Sequence, residues 1–411
     1  MTDRLSGLLP FLLSLLVFGC SAELIERGMG ARSARIEFGA EIHLGDGTRN
    51  PSTPFLRYRA DGRLFAIWTE DNAGMSATTK PTQAHEHVAG KMAPSPLRVA
   101  LLAASAQVNS DSEEIQGEEN GPKVAFGADN RAYVAWSIPS AIGDKTRANI
   151  RFAMDDGKGG FTSARTLNEV KDAARFPIIE LAPDGNFLIA WIDRRVDGPQ
   201  LRQLYLMRMN SNGQAATKNY QVGQGLCECC KLGIAFADGG KTIYMVDREV
   251  NDKQIRNHVL RKSSNGGATF AAPVQISDDG WQVPSCPHSG PSIGRDSRGR
   301  LHVSWFTLGR TEQEAGIYYS KSKDSGKSFA LRQLVQANSA PEILYNNLVV
   351  GDDDTVYSAW SNLDSNNRAQ IYLRLLNADE QSWSPIQQVS NAKGNASRPS
   401  LALRHNQLHI A

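Results

Sequence analysis

Apolar and polar positions alternate most clearly between residues 291 and 335, where four short apolar runs, 292–295, 301–306, 316–322 and 329–335, are separated by polar turns. Runs of this length, rich in β-branched and aromatic residues and bounded by Gly, Asp and Ser, read as strands. The pair Arg298-Gly299 marks the first turn. The third and fourth runs are joined by Ser322-Lys323-Asp324-Ser325-Gly326-Lys327-Ser328-Phe329, a pattern S-x-D-x-G-x-S-F. A short Asp side chain accepts hydrogen bonds from the backbone ahead of it, and Gly supplies a positive φ. Phe329 then plugs the turn against the sheet. The segment predicts a four-stranded antiparallel meander.

The same frame recurs along the chain. With Pro291 as zero, a turn pair falls at plus seven and eight, and Trp305 at plus fourteen. Copies start at Pro54 (Asp61-Gly62, Trp68), Pro122 (Asp129-Asn130, Trp136) and Pro177 (Asp184-Gly185, Trp191). Others start at Leu232 (Gly239-Gly240, with Val246 in the Trp place) and Asn346 (Asp353-Asp354, Trp360), and a seventh opens at Pro399 with Asn406-Gln407. The starts are 68, 55, 55, 59, 55 and 53 residues apart, and five of the seven Trp residues fall on the frame, so chance is a poor explanation. Four-stranded repeats near this length are the blades of an all-β propeller. Six full repeats run from 54 to 397, the chain then adds two more strands, and 34–44 (ARIEFGAEIHL) resembles a fourth strand. Chain ends sharing a blade close the ring and remove sheet edges. That arithmetic favours seven blades, with six as the alternative.

The stretch Ser322–Phe329 resembles the Asp box of the sialidase-like (BNR-repeat) propellers. Ser263-Ser264-Asn265-Gly266-Gly267-Ala268-Thr269-Phe270 is a second copy with Asn for Asp, and Asp155-Asp156-Gly157 with Phe161 and Asn377-Ala378-Asp379 with Trp383 are weaker relics. The resemblance spans nearly the whole chain after its N-terminal segment. It implies a sialidase-like fold, in which sialidases themselves have six blades. It marks fold better than activity, because binding propellers carry the same box.

Composition narrows the partners. A formal net charge of +2 with no long basic run excludes nucleic acid as an expected partner. Residues 8–18 form an apolar run too short to span a bilayer comfortably, followed by Val17-Phe18-Gly19-Cys20. That ending resembles a bacterial lipobox. It implies a signal peptide over 1–19, lipidation of Cys20, a tether over 20–33 and one propeller domain over 34–411. A plain secretory signal is the alternative. Ser21 after the Cys implies the outer membrane, with the lipid anchor as the sole contact with the bilayer.

In a propeller, the loops leading into the first strands and those leaving the second strands share one face, the usual ligand mouth. On this frame they carry Arg175, Asp193, Arg194, Asp247 and Arg248. Opposite charges there pair structurally, or the guanidinium forks meet a carboxylate or phosphate. Two neighbouring loops carry Cys227, Cys229 and Cys230 (LCECCK), and Cys286 with His288 (SCPHSGP). In an exported chain disulfides are the first reading. The pairs are then Cys227 or Cys229 with Cys286, or a vicinal Cys229-Cys230 bridge beside Cys227–Cys286. A copper or zinc site of thiolates with His288 is the other reading.

The resemblance implies a catalytic set: a first-blade arginine, two more arginines, a Tyr–Glu nucleophile pair and an Asp acid. The first-blade counterpart is Ser52-Thr53-Pro54, without arginine. Arg175, Arg248, Tyr345 and Asp193 are the candidate counterparts that remain, and apolar Ile234, Ala235 and Ala237 stand where the Glu is expected. A tyrosine without such a base is a weak nucleophile near neutral pH. The sequence therefore favours a non-catalytic envelope propeller binding a small molecule, glycan or protein at a Cys- and Arg-rich mouth. An exo-α-sialidase-type glycoside hydrolase is the alternative, and a copper or thiol-redox handling protein the second.

Overall fold

The protein's structure is a computed structural model. It describes residues 13–17, 36–38, 49–72, 97–101, 104–109, 113, 115, 116, 118–140, 147–196, 202–228, 230–282, 288–338, 344–377, 382–390, 395–405 and 407–411. Among these residues the strands form seven sheets. The first six are antiparallel meanders in chain order, and the fourth has one extra short strand, Trp281–Gln282. Their first strands are Arg49–Tyr58, Lys123–Phe126, Ala174–Leu181, Gly233–Ala237, Ser292–Arg295 and Asn346–Val350.

The seventh sheet joins the two ends of the chain. Leu401–Arg404 pairs antiparallel with Gln407–Ile410, which pairs in parallel with Leu13–Val17, and Ile36–Phe38 lies outside that strand. Ile36–Phe38 belongs to the run expected to share a blade with the C-terminus. Leu13–Val17 belongs to the run expected to be removed as a signal, and its two pairings are the parallel ones among the described residues.

The first strands lie side by side around the molecule: first sheet with second, second with third, fourth with fifth, fifth with sixth, sixth with seventh, and seventh with first. The third and fourth sheets meet through Phe176, Leu188 and Leu206 against Leu232, Ile243 and Met245. Each neighbouring pair of sheets shares its own apolar core, including Trp68 and Leu56 of the first sheet against Ala402 of the seventh. Sheets with two apolar faces stack this way because each face needs a neighbour to leave water.

The frame read from the sequence is a register in space. Trp68, Trp136, Trp191, Trp305 and Trp360 are each the fifth residue of their sheet's second strand and at most 1 % exposed, and Val246 holds the same place in the fourth sheet. A buried indole needs a partner for its N–H. Trp136, Trp191 and Trp305 donate to carboxylates of Glu113, Asp193 and Asp279 at 3.3, 2.9 and 3.0 Å. Trp191, Trp305 and Trp360 stack on Tyr205, Tyr318 and Tyr372 of the third strand. The hairpin position at plus eight has left-handed φ in all six meanders, at Gly62, Asn130, Gly185, Gly240, Gly299 and Asp354, residue types that tolerate it.

The Asp box is built as its sequence implies. Asp324 Oδ1 accepts the Lys327 and Ser328 N–H groups at 3.0 Å each, and Ser322 Oγ accepts Gly326 N–H at 2.8 Å. Asn265 repeats the geometry, its Oδ1 accepting Thr269 N–H at 2.9 Å. The carbonyl of Asn replaces the carboxylate because the turn needs an acceptor and not a charge. Phe161, Phe270, Phe329 and Trp383, which close these turns, pack into the core shared with the preceding sheet. The Asn377–Asp379 relic lies partly outside the described residues.

Candidate functional site

The leading edges of the first strands converge on an open recess. Thr53–Phe55 of the first sheet, Glu119 and Lys123 of the second, Lys231 of the fourth, Tyr345–Asn347 of the sixth and Arg398–Ser400 of the seventh line it. Strained backbone aims some of these residues. Thr53, Phe176 and Arg398 each precede a proline, yet carry φ of 49°, 55° and 58°. A residue before proline ordinarily adopts an extended conformation, so three equivalent exceptions are imposed by the surrounding structure. In the first and third sheets the ladder also shifts register there, between Ser52 and Phe55 and between Arg175 and Ile178.

Glu119 is the hub. It sits in a short 3-10 turn before the second sheet and is buried. Its Oε2 accepts the Lys231 N–H at 3.0 Å and the Gly290 N–H at 2.8 Å, so one carboxylate ties the second, fourth and fifth sheets together. A Cβ on Gly290 would lie 2.3 Å from Lys231 O, so the clamp needs glycine. Next to it, Asn120 Oδ1 accepts the Phe176 N–H at 2.5 Å and holds the third sheet. Lys231 Nζ donates to Asn346 O at 2.6 Å and stands 4.0 Å from Glu119 Oε1. Lys123 Nζ donates to Gly121 O at 2.7 Å and lies over the Phe55 ring. Arg398 lies over the Tyr345 ring, 4.3 Å from its centroid, and donates to Tyr345 Oη at 3.1 Å.

Burial sets the electrostatics. It pushes the Glu119 carboxyl up, opposed by the Lys231 charge and the two backbone N–H groups. It pulls the Lys231 ammonium down, with Glu119 offsetting part of the loss. It lowers Lys123 to about 7, again against Glu119. Desolvation disfavours the charged form in all three cases. A neighbouring negative charge favours the charged form of both lysines.

Of the expected site residues, Tyr345 lines this recess. Asp193 is fully buried, and both its oxygens take hydrogen bonds from Arg195, at 2.9 and 2.8 Å, while Trp191 adds a third. Asp247 is paired with Arg261 within the fourth sheet at 2.8 Å. Arg248 turns inward: its Nε donates to His258 Nε2 at 3.1 Å, and its Nη2 to Phe306 O at 2.8 Å. Arg175 and Arg194 are half-buried, with Arg175 over the Phe176 ring. The His288 ring lies 6.2 Å from that of Phe176. Asp193 and Asp247 are thus paired with Arg195 and Arg261, arginines outside the expected set. Cys227 and Cys230 are buried thiols with no disulfide between them. Cys20, Cys229 and Cys286 lie outside the described residues. Among the described residues no group of His, Cys, Asp or Glu has the arrangement of a metal site.

The sequence reading missed Glu119, Lys123, Lys231 and Arg398. Lys231, Tyr345 and Arg398 all sit immediately before a frame start, and Lys123 immediately after one. The frame contained the signal: each of the four lies within three residues of a frame start.

No family model matches the chain, and no curated protein matches it. Among solved structures, it is similar to a polysaccharide lyase of family PL25, an ulvan lyase bound to -[GlcA(1-4)Rha3S]-. The TM-score is 0.52 at 7 % identity, covering 86 % of this chain and 87 % of that one. It is also similar to a protein of unknown function from Dyadobacter fermentans, with TM-score 0.48 and 13 % identity over 72 % of this chain and 95 % of that one. For the Hadza microbial sialidase Hz136 the values are 0.47 and 11 %, over 76 % and 69 %. At such identities the likeness is one of fold, the β-propeller.

Proposed function

We propose that this protein is a seven-bladed, envelope-anchored propeller that binds an acidic saccharide in the axial recess. One observation carries the reading: Lys123, Lys231 and Arg398 reach one recess from three different sheets, and the single acid among its lining residues, Glu119, is held by two backbone N–H groups. Arginine offers a planar fork to a carboxylate or sulfate, and lysine a compact point charge. Phe55 and Tyr345 add aromatic surface for a sugar face. The complex of the ulvan lyase with -[GlcA(1-4)Rha3S]- supports an acidic saccharide as the ligand class. Binding is favoured over sialidase-type hydrolysis because the first-blade counterpart, Ser52-Thr53-Pro54, supplies no arginine, and the one acid among the lining residues, Glu119, is already held by two backbone N–H groups.

The seven separate inter-sheet cores support the blade number. The lipobox-like run supports anchoring at Cys20, in the outer membrane. Cutting before Cys20 removes Leu13–Val17 from the seventh sheet, so anchoring and that pairing exclude each other.

Calorimetry on the full chain tests the ligand class, using a glucuronate-containing oligosaccharide and its carboxyl-reduced neutral counterpart. The acid form binds at least about tenfold tighter, a difference of about 1.4 kcal/mol. Lys231→Ala and Arg398→Ala each remove most of that preference. Equal binding of the two saccharides, or a preference untouched by both substitutions, defeats the reading.

A further inference from the structure

The chain carries its charge unevenly. Its formal net charge is +2, yet residues 291–335, which build the fifth sheet, hold eight Lys and Arg against four Asp and Glu. Six of the eight gather at one end of the sheet. Arg295, Arg298 and Arg300 sit at its first hairpin, Lys321 near the end of its third strand, and Lys323 and Lys327 in the Asp box that follows. Leu301 pairs with Ser322, so hairpin and box share that end. Lys262 joins them from the fourth sheet, its Nζ donating to Ser325 O at 2.9 Å. The other two, Arg310 and Arg332, are paired with Asp278 and Asp279.

The acids at this end offset only part of the charge. Asp296 meets Arg300, and Asp354 of the sixth sheet stands 3.3 Å from Arg298. Asp324 is occupied by the hydroxyls and N–H groups of its own turn. Lys321 registers the crowding: burial first, then the Lys323 and Arg300 charges, hold its ammonium below the usual lysine range, against Asp296. The same end carries an apolar group. The Ala330 N–H donates to Lys321 O at 3.0 Å, which sets the next residue, Leu331, beside the lysines. Leu331 is 94 % exposed. A leucine held in water by a hydrogen-bonded turn and flanked by cations fits the boundary between lipid headgroups and acyl chains.

We propose that this end of the fifth sheet docks on an anionic lipid surface, its cations meeting lipid phosphates and Leu331 entering the headgroup boundary. A lipid surface is favoured over an acidic saccharide or protein because the apolar member is one outstanding leucine rather than an aromatic plate or a groove. The contact is separate from the recess and adds to the Cys20 anchor.

The test sediments the full chain with vesicles of phosphatidylcholine alone and of phosphatidylcholine with phosphatidylglycerol. Every variant keeps residues 1–33, so a change in the ratio of the two affinities belongs to the fifth sheet. Wild type is expected to prefer the anionic vesicles by at least about tenfold at low salt, a preference that shrinks as salt rises to about 0.5 M. Lys323→Glu with Lys327→Glu brings the ratio close to one. Leu331→Ser weakens binding to the anionic vesicles by at least about fivefold and keeps the salt dependence. Lys158→Glu, in a turn of the second sheet, leaves the ratio unchanged. All four substituted side chains are exposed, so the sheets stay intact. Equal affinity for the two vesicles, an anionic preference that the double variant keeps, or an equal loss in Lys158→Glu overturns the proposal. Full affinity in Leu331→Ser overturns the lipid as occupant and assigns the charge to a soluble acidic partner.

Discussion

His258 makes the protein acid-sensitive in a way that one substitution isolates. Its ring is 1 % exposed, accepts a hydrogen bond from Arg248, and faces Ser277 and Asp279. Burial first, and then the Arg248 charge, lower its pKa from 6.5 to about 4, against the opposing pull of Asp279. The neutral ring is thus the folded form. Unfolded chains bind a proton at His258 below about pH 6.5, whereas folded chains wait until about pH 4. Unfolded protein holds more protons across that window, so stability rises with pH through it and falls on acidification. At 1.36 kcal/mol per pH unit the full loss from this residue is about 3 kcal/mol. His409 adds to the wild-type loss, since burial also lowers it to about 4. The comparison is therefore between wild type and His258→Gln, by urea unfolding followed through tryptophan fluorescence at a series of pH values. Between about pH 4 and 6.5 the variant's stability should change less steeply by about 1 kcal/mol per pH unit. Parallel curves for the two proteins would refute the assignment of a buried, neutral His258.

Three further outcomes are expected. Trp305→Ala empties a fully buried site between the fourth and fifth sheets and costs about 3–5 kcal/mol; a loss under about 1 kcal/mol, measured by the same urea method, would contradict the shared core. Cys20→Ser releases the protein from membranes into the soluble fraction, and mass spectrometry of wild type finds a lipidated chain beginning at Cys20; a soluble wild type beginning elsewhere contradicts anchoring. Affinity for the acidic saccharide rises as pH falls from about 8 to 6, because Lys123 gains its proton near 7; a flat profile would remove Lys123 from the binding charge.

Much of the fold was legible because the propeller repeats its chemistry as well as its shape. A tryptophan at plus fourteen, a turn residue at plus eight that tolerates left-handed φ, and a box aromatic that packs against the preceding sheet each recur. Together they place the strands, their register and their cores. The fourth sheet follows the frame even with Val246 in the Trp place. The site was legible only in position. Spacing located the segments that carry it, but not the direction in which each side chain turns. Hence Arg248, chosen as a ligand arginine, turned into the sheet gap toward Cys230 and His258, while Lys231 and Arg398 took the recess. Glu119 was hidden for another reason. It lies in the turn before the second sheet, and only the fold brings Gly290, 171 residues on, to its carboxylate.

The central claim is that the axial recess holds an acidic saccharide, and a crystal structure of the protein soaked with a glucuronate disaccharide tests it most directly. The account predicts sugar density in the recess, its carboxylate within about 3.2 Å of Lys231 Nζ or the Arg398 guanidinium, and a sugar face against Tyr345 or Phe55. Density bound elsewhere on the molecule, or an empty recess at saturating disaccharide, would contradict it.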